Sequence, residues 1–185
     1  MPVLRKEGER QGIRNVAKLM LISARTAPKS AGVDDLVLAV VDGKEKDRIA
    51  LEMDRIGEER NAEGFRRDSK NLRDSDAALL IGARGPRSLG LNCGACGYSS
   101  CEEFDKAEKK HGLDFTGPTC LFKALDLGIA LSSAAKTANL LNVDNRIMYR
   151  IGAAAMRLRI LPKAHMIMGI PISARGKNIY FDRSR

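Results

Sequence analysis

The sequence predicts an α+β fold: a mixed central sheet covered by helices, with a cysteine-rich segment inserted into it. Three observations carry that expectation. Continuous apolar runs at 36–41, 77–83 and 165–170 have the length and aliphatic content of buried strands. The stretches between them repeat apolar residues at helical spacing. All four cysteines of the 185-residue chain lie between Cys93 and Cys120. The length suits one ordinary domain with a sizeable core. The expectation is therefore one α+β domain over 1–185 with an inserted segment at 90–120.

In chain order, Ile13, Val16, Ala17, Met20 and Ala24 recur at helical spacing between about 7 and 27, with Arg14, Lys18 and Arg25 between them. Pro28 ends this amphipathic helix, and 29–35 is a loop before the first strand. Asp42-Gly43 reads as a turn. Ile49, Met53 and Ile56 share one face of an exposed helix within 44–61, and 65–73 forms another short helix before the second strand. Gly85-Pro86 and Gly90 mark the loop that delivers the cysteines. After Cys101, Glu102 and Glu103 suit a helix start, and Phe104, Ala107 and Lys110 extend that helix to Gly112. Gly117-Pro118 turns the chain back toward Cys120. The stretch 121–141 has few charges apart from Lys123, Asp126 and Lys136, and reads as a helix buried on most sides. Asp144 can cap the next helix, whose apolar stripe is Ile147, Ile151, Ala154, Ala155 and Leu158. The third strand stops at Pro171.

The net charge is +9. A nucleic-acid surface needs basic residues interleaved with aromatics. Here Arg and Lys are dispersed beside Asp and Glu, and the chain has no Trp, three Tyr and five Phe. The pattern is that of solvated helix faces, and an acidic redox partner remains compatible with it. Residues 1–12 are polar, without the apolar run of a signal peptide, and no stretch has the length of a membrane span. The expected location is cytoplasmic, where clustered thiols stay reduced and serve as metal ligands or redox groups.

The cysteine pattern is C-x(2)-C-x(4)-C-x(18)-C, formed by Cys93, Cys96, Cys101 and Cys120. A cubane iron–sulfur core needs four converging thiolates, and three on one loop with a remote fourth can supply them. Gly94 and Gly97 follow the first two ligands, where a missing side chain lets the backbone wrap and aim N–H groups at sulfur. Such bonds would favour the reduced cluster. Three other readings stay open at this point: a structural zinc site, which ordinarily shows two close pairs rather than one; a C-x-x-C redox pair, which leaves Cys101 and Cys120 unused; and unrelated buried cysteines.

Asn92-Cys93-Gly94-Ala95-Cys96-Gly97-Tyr98-Ser99-Ser100-Cys101 with Cys120 resembles the four-iron four-sulfur domain of corrinoid iron–sulfur proteins. It is also similar to the ferredoxin-like subunit of sodium-pumping electron-transport complexes. Leu121 stands where those domains often carry Pro. Nearly the whole chain resembles a prokaryotic family of ferredoxin-domain proteins without an assigned reaction. That likeness runs through Ala24 to Lys29, the cysteine segment, Asp126 to Ala130, Val143 to Met148, Gly169-Ile170-Pro171, Gly176-Lys177-Asn178 and Phe181-Asp182-Arg183. A further likeness, to flavin-dependent nitroreductases, rests on Ala24 to Ser30 before a strand, Asp126-Leu127-Gly128, and Gly169-Ile170-Pro171. It implies a dimer holding FMN at its interface; the Arg-rich N-terminal phosphate grip of those enzymes has no counterpart here.

These resemblances imply an electron-transfer protein or oxidoreductase with one 4Fe-4S cluster, whose partner is a redox protein or a small-molecule electron acceptor. The alternatives are an FMN enzyme fed by the cluster and a zinc-stabilised interaction module. Arg25, Lys29 and Ser30, at a helix end, can grip a flavin phosphate, or can equally be a basic helix end in a favourable place. Asp144-Asn145-Arg146 reads as a cap and surface pair, and Arg175-Gly176-Lys177-Asn178 lacks phosphate-loop glycine spacing. The two histidines, His111 and His165, stand at no metal spacing to the cysteines, and hydrolytic acid–base chemistry has little to work with.

Overall fold

The computed structural model describes residues 2, 4–85 and 87–181. Met1, Val3, Pro86 and residues 182–185 lie outside it, and with them one residue of the expected Gly85-Pro86 turn and the end of the C-terminal tail. Helix α1 (Arg5–Thr26) leads through a 3₁₀ turn (Ser30–Gly32) into strand β1 (Leu36–Asp42), helices α2 (Gly43–Glu59) and α3 (Glu63–Asp74), and strand β2 (Ala77–Arg84). The cysteine segment carries α4 (Cys101–Lys106), β3 (Lys110–His111) and β4 (Thr116–Gly117). The chain then returns as α5 (Leu121–Leu140), β5 (Asp144–Asn145), α6 (Tyr149–Arg157) and β6 (Ala164–Ser173).

The main sheet has the order β1-β2-β6-β5. The α+β class and the helical cover stand, and every ladder in the sheet is antiparallel rather than mixed. The pair α2 and α3 explains the first ladder. Two helices, one out and one back, return the chain to the end where β1 finished, so Asp42 pairs with Ala77. A single crossover helix would have favoured a parallel neighbour.

Strand β2 is the centre, buried on both faces. Its two-residue alternation sends Leu79, Ile81 and Ala83 into a core shared with Ala17, Met20 and Ala24 of α1 and Leu127, Ala130 and Ala134 of α5. Ala78 and Leu80 face the second core, built from Ile49, Met53 and Ile56 of α2, Phe65 and Leu72 of α3, and Ile151 and Ala154 of α6. Full burial of Leu79, Leu80 and Ile81 contributes about 1.5–3 kcal/mol each. Helix α6 lies directly on the backbone of β6: a Cβ added at Gly152 would stand 1.6 Å from the Ile167 carbonyl oxygen. Only glycine permits that approach.

Several local expectations are corrected. β1 is an edge strand, so Leu36 and Val41 are buried while its other residues are half exposed. Gly43 opens α2 rather than closing a turn, and α2 is not merely exposed, since it buries Lys46, Ile49, Ala50, Glu52, Met53 and Ile56. Lys46 donates to the Leu72 and Arg73 carbonyls, 3.0 and 2.9 Å away, which caps the end of α3. Helix α4 stops at Lys106 because Ala107 is extended, and Lys110-His111 pair with Thr116-Gly117 instead of continuing it. Asp144 is part of β5 and accepts from Asn178 at 2.8 Å, while α6 starts only at Tyr149 without a side-chain cap.

β6 runs through Pro171 to Ser173. Gly169 turns its N–H to Met148, away from β2, and the two-residue repeat puts the ring of Pro171 on the same side, so no bond to β2 is lost. Helix α5 is buried along one side only: Leu121, Leu125 and Ile129, one turn apart, are exposed, as is Leu140.

Candidate metal centre

Residues 87–119 lie outside the main sheet and are tied down by side chains. The Ser88 N–H and Oγ donate to the Asp105 carboxylate at 2.7 and 2.8 Å, and these bonds, the backbone one foremost, hold its pKa below the usual carboxylate range. Phe104 is fully buried; the ring of Tyr98 meets it edge-on at 5.6 Å, and the Lys109 ammonium sits 3.7 Å from its centroid. Asp114 accepts from Arg60 Nη1 at 2.8 Å and from the Tyr149 hydroxyl at 2.7 Å, and Phe115 packs against Tyr149 at 5.0 Å. These contacts anchor the β3–β4 hairpin to α2 and α6.

Within this frame the first three cysteines sit on one tight loop. Gly94 and Gly97 have φ of +68° and +88°, which a side chain would strain, and the Gly97 N–H donates to the Gly94 carbonyl at 2.9 Å. Cys101 opens α4 behind the cap residue Ser100, whose Oγ accepts from the Glu103 N–H at 3.1 Å. Glu103 reaches back to the Ser99 N–H at 2.9 Å and to the Ser99 hydroxyl, which lowers its pKa. Asn92 faces Cys101: its N–H donates to Sγ at 3.2 Å, and its Oδ1 accepts from the Cys101 N–H at 2.8 Å.

Cys120 stands at the N-cap position of α5 and is buried, whereas Cys93 is exposed and Cys96 and Cys101 are intermediate. All four line one narrow pocket of about 10 Å³, walled also by Gly94, Tyr98, Leu91 and Leu121. Among the described residues, no three His, Cys, Asp or Glu side chains converge tightly enough to grasp a single metal ion. The four cysteines share the lining of that pocket, and soft sulfur donors of this kind suit zinc or an iron–sulfur core.

The other expected site residues go elsewhere. Arg25 pairs with Asp34. Lys29 Nζ donates to the carbonyls of Arg25 and Ala27, the latter at 2.9 Å. The Ser30 N–H and Oγ donate to Asp126 Oδ1 at 2.9 and 2.8 Å. The three are neighbours, each engaged within the chain. A separate open cleft of about 500 Å³ lies between the first half of α1 and the end of β6; Arg10, Arg14, Asp42, Asp76 and Arg175 line it. Arg14 is bound there to Asp42 and Arg175 to Asp76. His111 is exposed and near Thr116, and His165 is buried. The roles of Asn92 and of the Asp114 anchor have no signature in the sequence, because both depend on partners placed by the fold.

The architecture is the nitroreductase fold. Similar solved structures include the nitroreductase CinD from Lactococcus lactis in complex with nicotinic acid, with a TM-score of 0.59, 10% identity, and coverage of 89% of this chain and 79% of that one. The FMN-dependent nitroreductase NfnB from Mycobacterium smegmatis in complex with NADPH gives a TM-score of 0.55 at 13% identity, over 88% of this chain and 78% of its own. The hypothetical oxidoreductase YcnD from Bacillus subtilis gives 0.54 at 17% identity over 96% of this chain, which spans only 60% of YcnD's length. At these identities the likeness is one of fold.

In sequence, the chain belongs to the family described as "Uncharacterized protein containing a ferredoxin domain", whose model matches residues 116–183 and so takes in Cys120. An uncharacterized protein of Archaeoglobus fulgidus is 49% identical over 179 residues, covering 97% of this chain and 96% of that protein. Among the described residues no helix is long and apolar enough to cross a membrane.

Proposed function

We propose that the protein is a one-electron carrier that holds a single 4Fe-4S cluster on Cys93, Cys96, Cys101 and Cys120, with residues 90–120 acting as an inserted cluster-binding segment of a cytoplasmic redox protein. One observation carries the reading: Cys120, far along the chain from the other three, lines the same pocket as they do. A four-cysteine zinc site ordinarily shows two close pairs, whereas this chain has one close pair, a third cysteine on the same loop and a remote fourth, the pattern of a cluster site. The family's ferredoxin description supports the same reading. When bound, the cluster supplies reversible one-electron chemistry.

The chain's own groups prepare the site for it. The positive end of α5 begins at Cys120 and suits the negative charge of a bound cluster. The Asn92 N–H aimed at Cys101 Sγ favours added negative charge there. Exposed Cys93 marks the edge through which an electron exchanges with a redox protein or small-molecule acceptor. Anaerobic purification followed by iron, sulfide and zinc analysis tests the reading: about four irons and four sulfides per chain are expected, and colourless protein with stoichiometric zinc rejects it.

A second reading adds FMN, which the cluster would feed. It is favoured by the open cleft in which Arg10 stands beside the paired Arg14 and Arg175, within a fold that FMN-dependent nitroreductases share. Flavin released on denaturation supports it. Comparing Arg25→Ala with Arg10→Ala then assigns the phosphate to the α1 end or to the cleft. The exposed stripe Leu121, Leu125 and Ile129 on a helix apolar on nearly all sides is the seat of a second copy in a homodimer.

A further inference from the structure

The inward face of α1 changes character along its length. Ile13, Ala17, Met20 and Ala24 pack into the core, and one and two turns back from Ile13 the same face carries Arg10 and Lys6. Both line the open cleft of about 500 Å³ between this end of α1 and the end of β6. The other charges of that cleft are matched: Arg5 with Glu9 at 2.8 Å, Arg14 with Asp42 at 2.8 Å and Arg175 with Asp76 at 3.1 Å. Lys6 and Arg10 have no hydrogen bond or ion pair among the described residues, which leaves the cleft with two positive charges in excess.

Stability does not account for that pair. Like charges four residues apart on a helix repel and weaken it, and no carboxylate pairs with either. Lys6 and Arg10, with Arg14, also wall a second open cleft of about 510 Å³. Glu7 and Gln11 bound it where Glu9 and Ile13 bound the first, so the two cations form a ridge between the clefts. A small-molecule site encloses most of its ligand and is lined mainly by apolar side chains. Here Ile13 and Ala174 are the apolar side chains of the first cleft, and the second has none. A single nucleic-acid strand is held by aromatic stacking as well as charge, and neither cleft contains an aromatic ring. What remains is an extended, carboxylate-bearing chain laid across the ridge.

We propose that Lys6 and Arg10 dock an acidic segment of a partner protein, with carboxylates spaced about 6 Å apart to match the four-residue rise between the two cations. The net charge of +9 draws such a partner in. The ridge stands at the end of the sheet opposite the entry to the cysteine segment: β2 starts beside Asp76 of the cleft and ends at Arg84, about 23 Å away. An acidic segment bound there leaves the exposed Cys93 edge uncovered, and the inference does not rest on the cluster reading.

The test is the binding of a fluorescent octaglutamate peptide to the purified full chain, read by anisotropy. One peptide per chain is expected, with affinity falling as salt rises. Lys6→Glu with Arg10→Glu should weaken it by about a hundredfold, a factor of about ten for each charge-assisted contact removed. Arg159→Glu with Lys163→Glu makes the same change of net charge at two other exposed positions and should weaken it far less. Lys6→Glu alone should weaken the peptide and raise the melting temperature, because a carboxylate at that position attracts Arg10 instead of repelling it. Cys120→Ser should bind the peptide as the wild type does, which separates this inference from the fate of the cluster. Equal weakening in the two double variants overturns the proposal, since net charge alone would then explain the binding. Tighter binding of an oligothymidylate of the same charge overturns it too, as does stoichiometric flavin lost on Arg10→Ala, which gives the cleft to FMN.

Discussion

Asn92 and Cys101 hold each other through two reciprocal hydrogen bonds, the Asn92 N–H donating to Sγ and the Asn92 side chain accepting from the Cys101 N–H. Asn92 does so at a φ of +47°, in the left-handed region that Asn tolerates better than most side chains. One residue thus closes the loop that carries Cys93 and Cys96 and aims a donor at the third sulfur.

Asn92→Ala removes the acceptor and strains the backbone. The loop should lose about 1 kcal/mol of local stability and release iron faster to a chelator. Asn92→Gly, which relieves the strain but still lacks the acceptor, should fall between the two. Equal release rates in all three proteins would show that the side chain plays no part in holding the loop.

Cys120→Ser separates cluster binding from folding. Serine is a preferred N-cap residue, so α5 should keep its start and the melting temperature should stay within a few degrees. Iron should drop from about four per chain toward zero. Retained iron and an unchanged spectrum would take Cys120 out of the ligand set.

Gly152→Ala should destabilise the fold by about 3 kcal/mol or more, because its Cβ would meet the Ile167 carbonyl oxygen at 1.6 Å and α6 must lift off β6. Denaturant unfolding measures this directly. A loss within about 0.5 kcal/mol, the ordinary surface range, would mean that α6 does not pack so closely.

Alkaline stability should fall between pH 10 and 12. Burial, with the bond to Asp114, pushes the Tyr149 hydroxyl up to about 12, and burial raises Tyr180 to about 12 as well. In the unfolded chain both ionise near pH 10, so the folded state binds more protons above that pH. Their contribution is intact below pH 10 and is lost as pH rises through 12. Tyr149→Phe should flatten part of this decline in a melting series, and phenolate absorbance should show late titration.

The exposed stripe on α5 predicts a dimer in sedimentation equilibrium, and Leu125→Glu should shift it to monomer without lowering helix content. A wild-type protein that sediments as monomer at high concentration would remove the second copy from this face.

Much of the fold was legible because its signals are local. The spacing of Ile13, Ala17, Met20 and Ala24 marks the buried face of α1, and all four are indeed buried. The run from Ala77 to Ala83 is a strand buried on both sides. Features set by neighbours were harder to read. Lys110-His111 carried an apparent helix onward until a partner strand took them up, and Asp144 looked like a cap until β6 offered a ladder. Arg25, Lys29 and Ser30 were candidates for an external anion, and each found an internal partner only because Asp34, the α1 carbonyls and Asp126 were folded around them.

By itself the amino-acid sequence determined which donors are available and how closely three of them follow one another, since thiol chemistry and loop spacing are properties of neighbours along the chain. Only the tertiary structure decided that Cys120 joins them, that Asn92 points at a sulfur, and that Lys123 pairs with Asp35. The two hydrogen-bonded or ion-paired contacts among these join residues 9 and 88 positions apart. Their distances are set by how α5 and the sheet pack, and no local pattern carries that information.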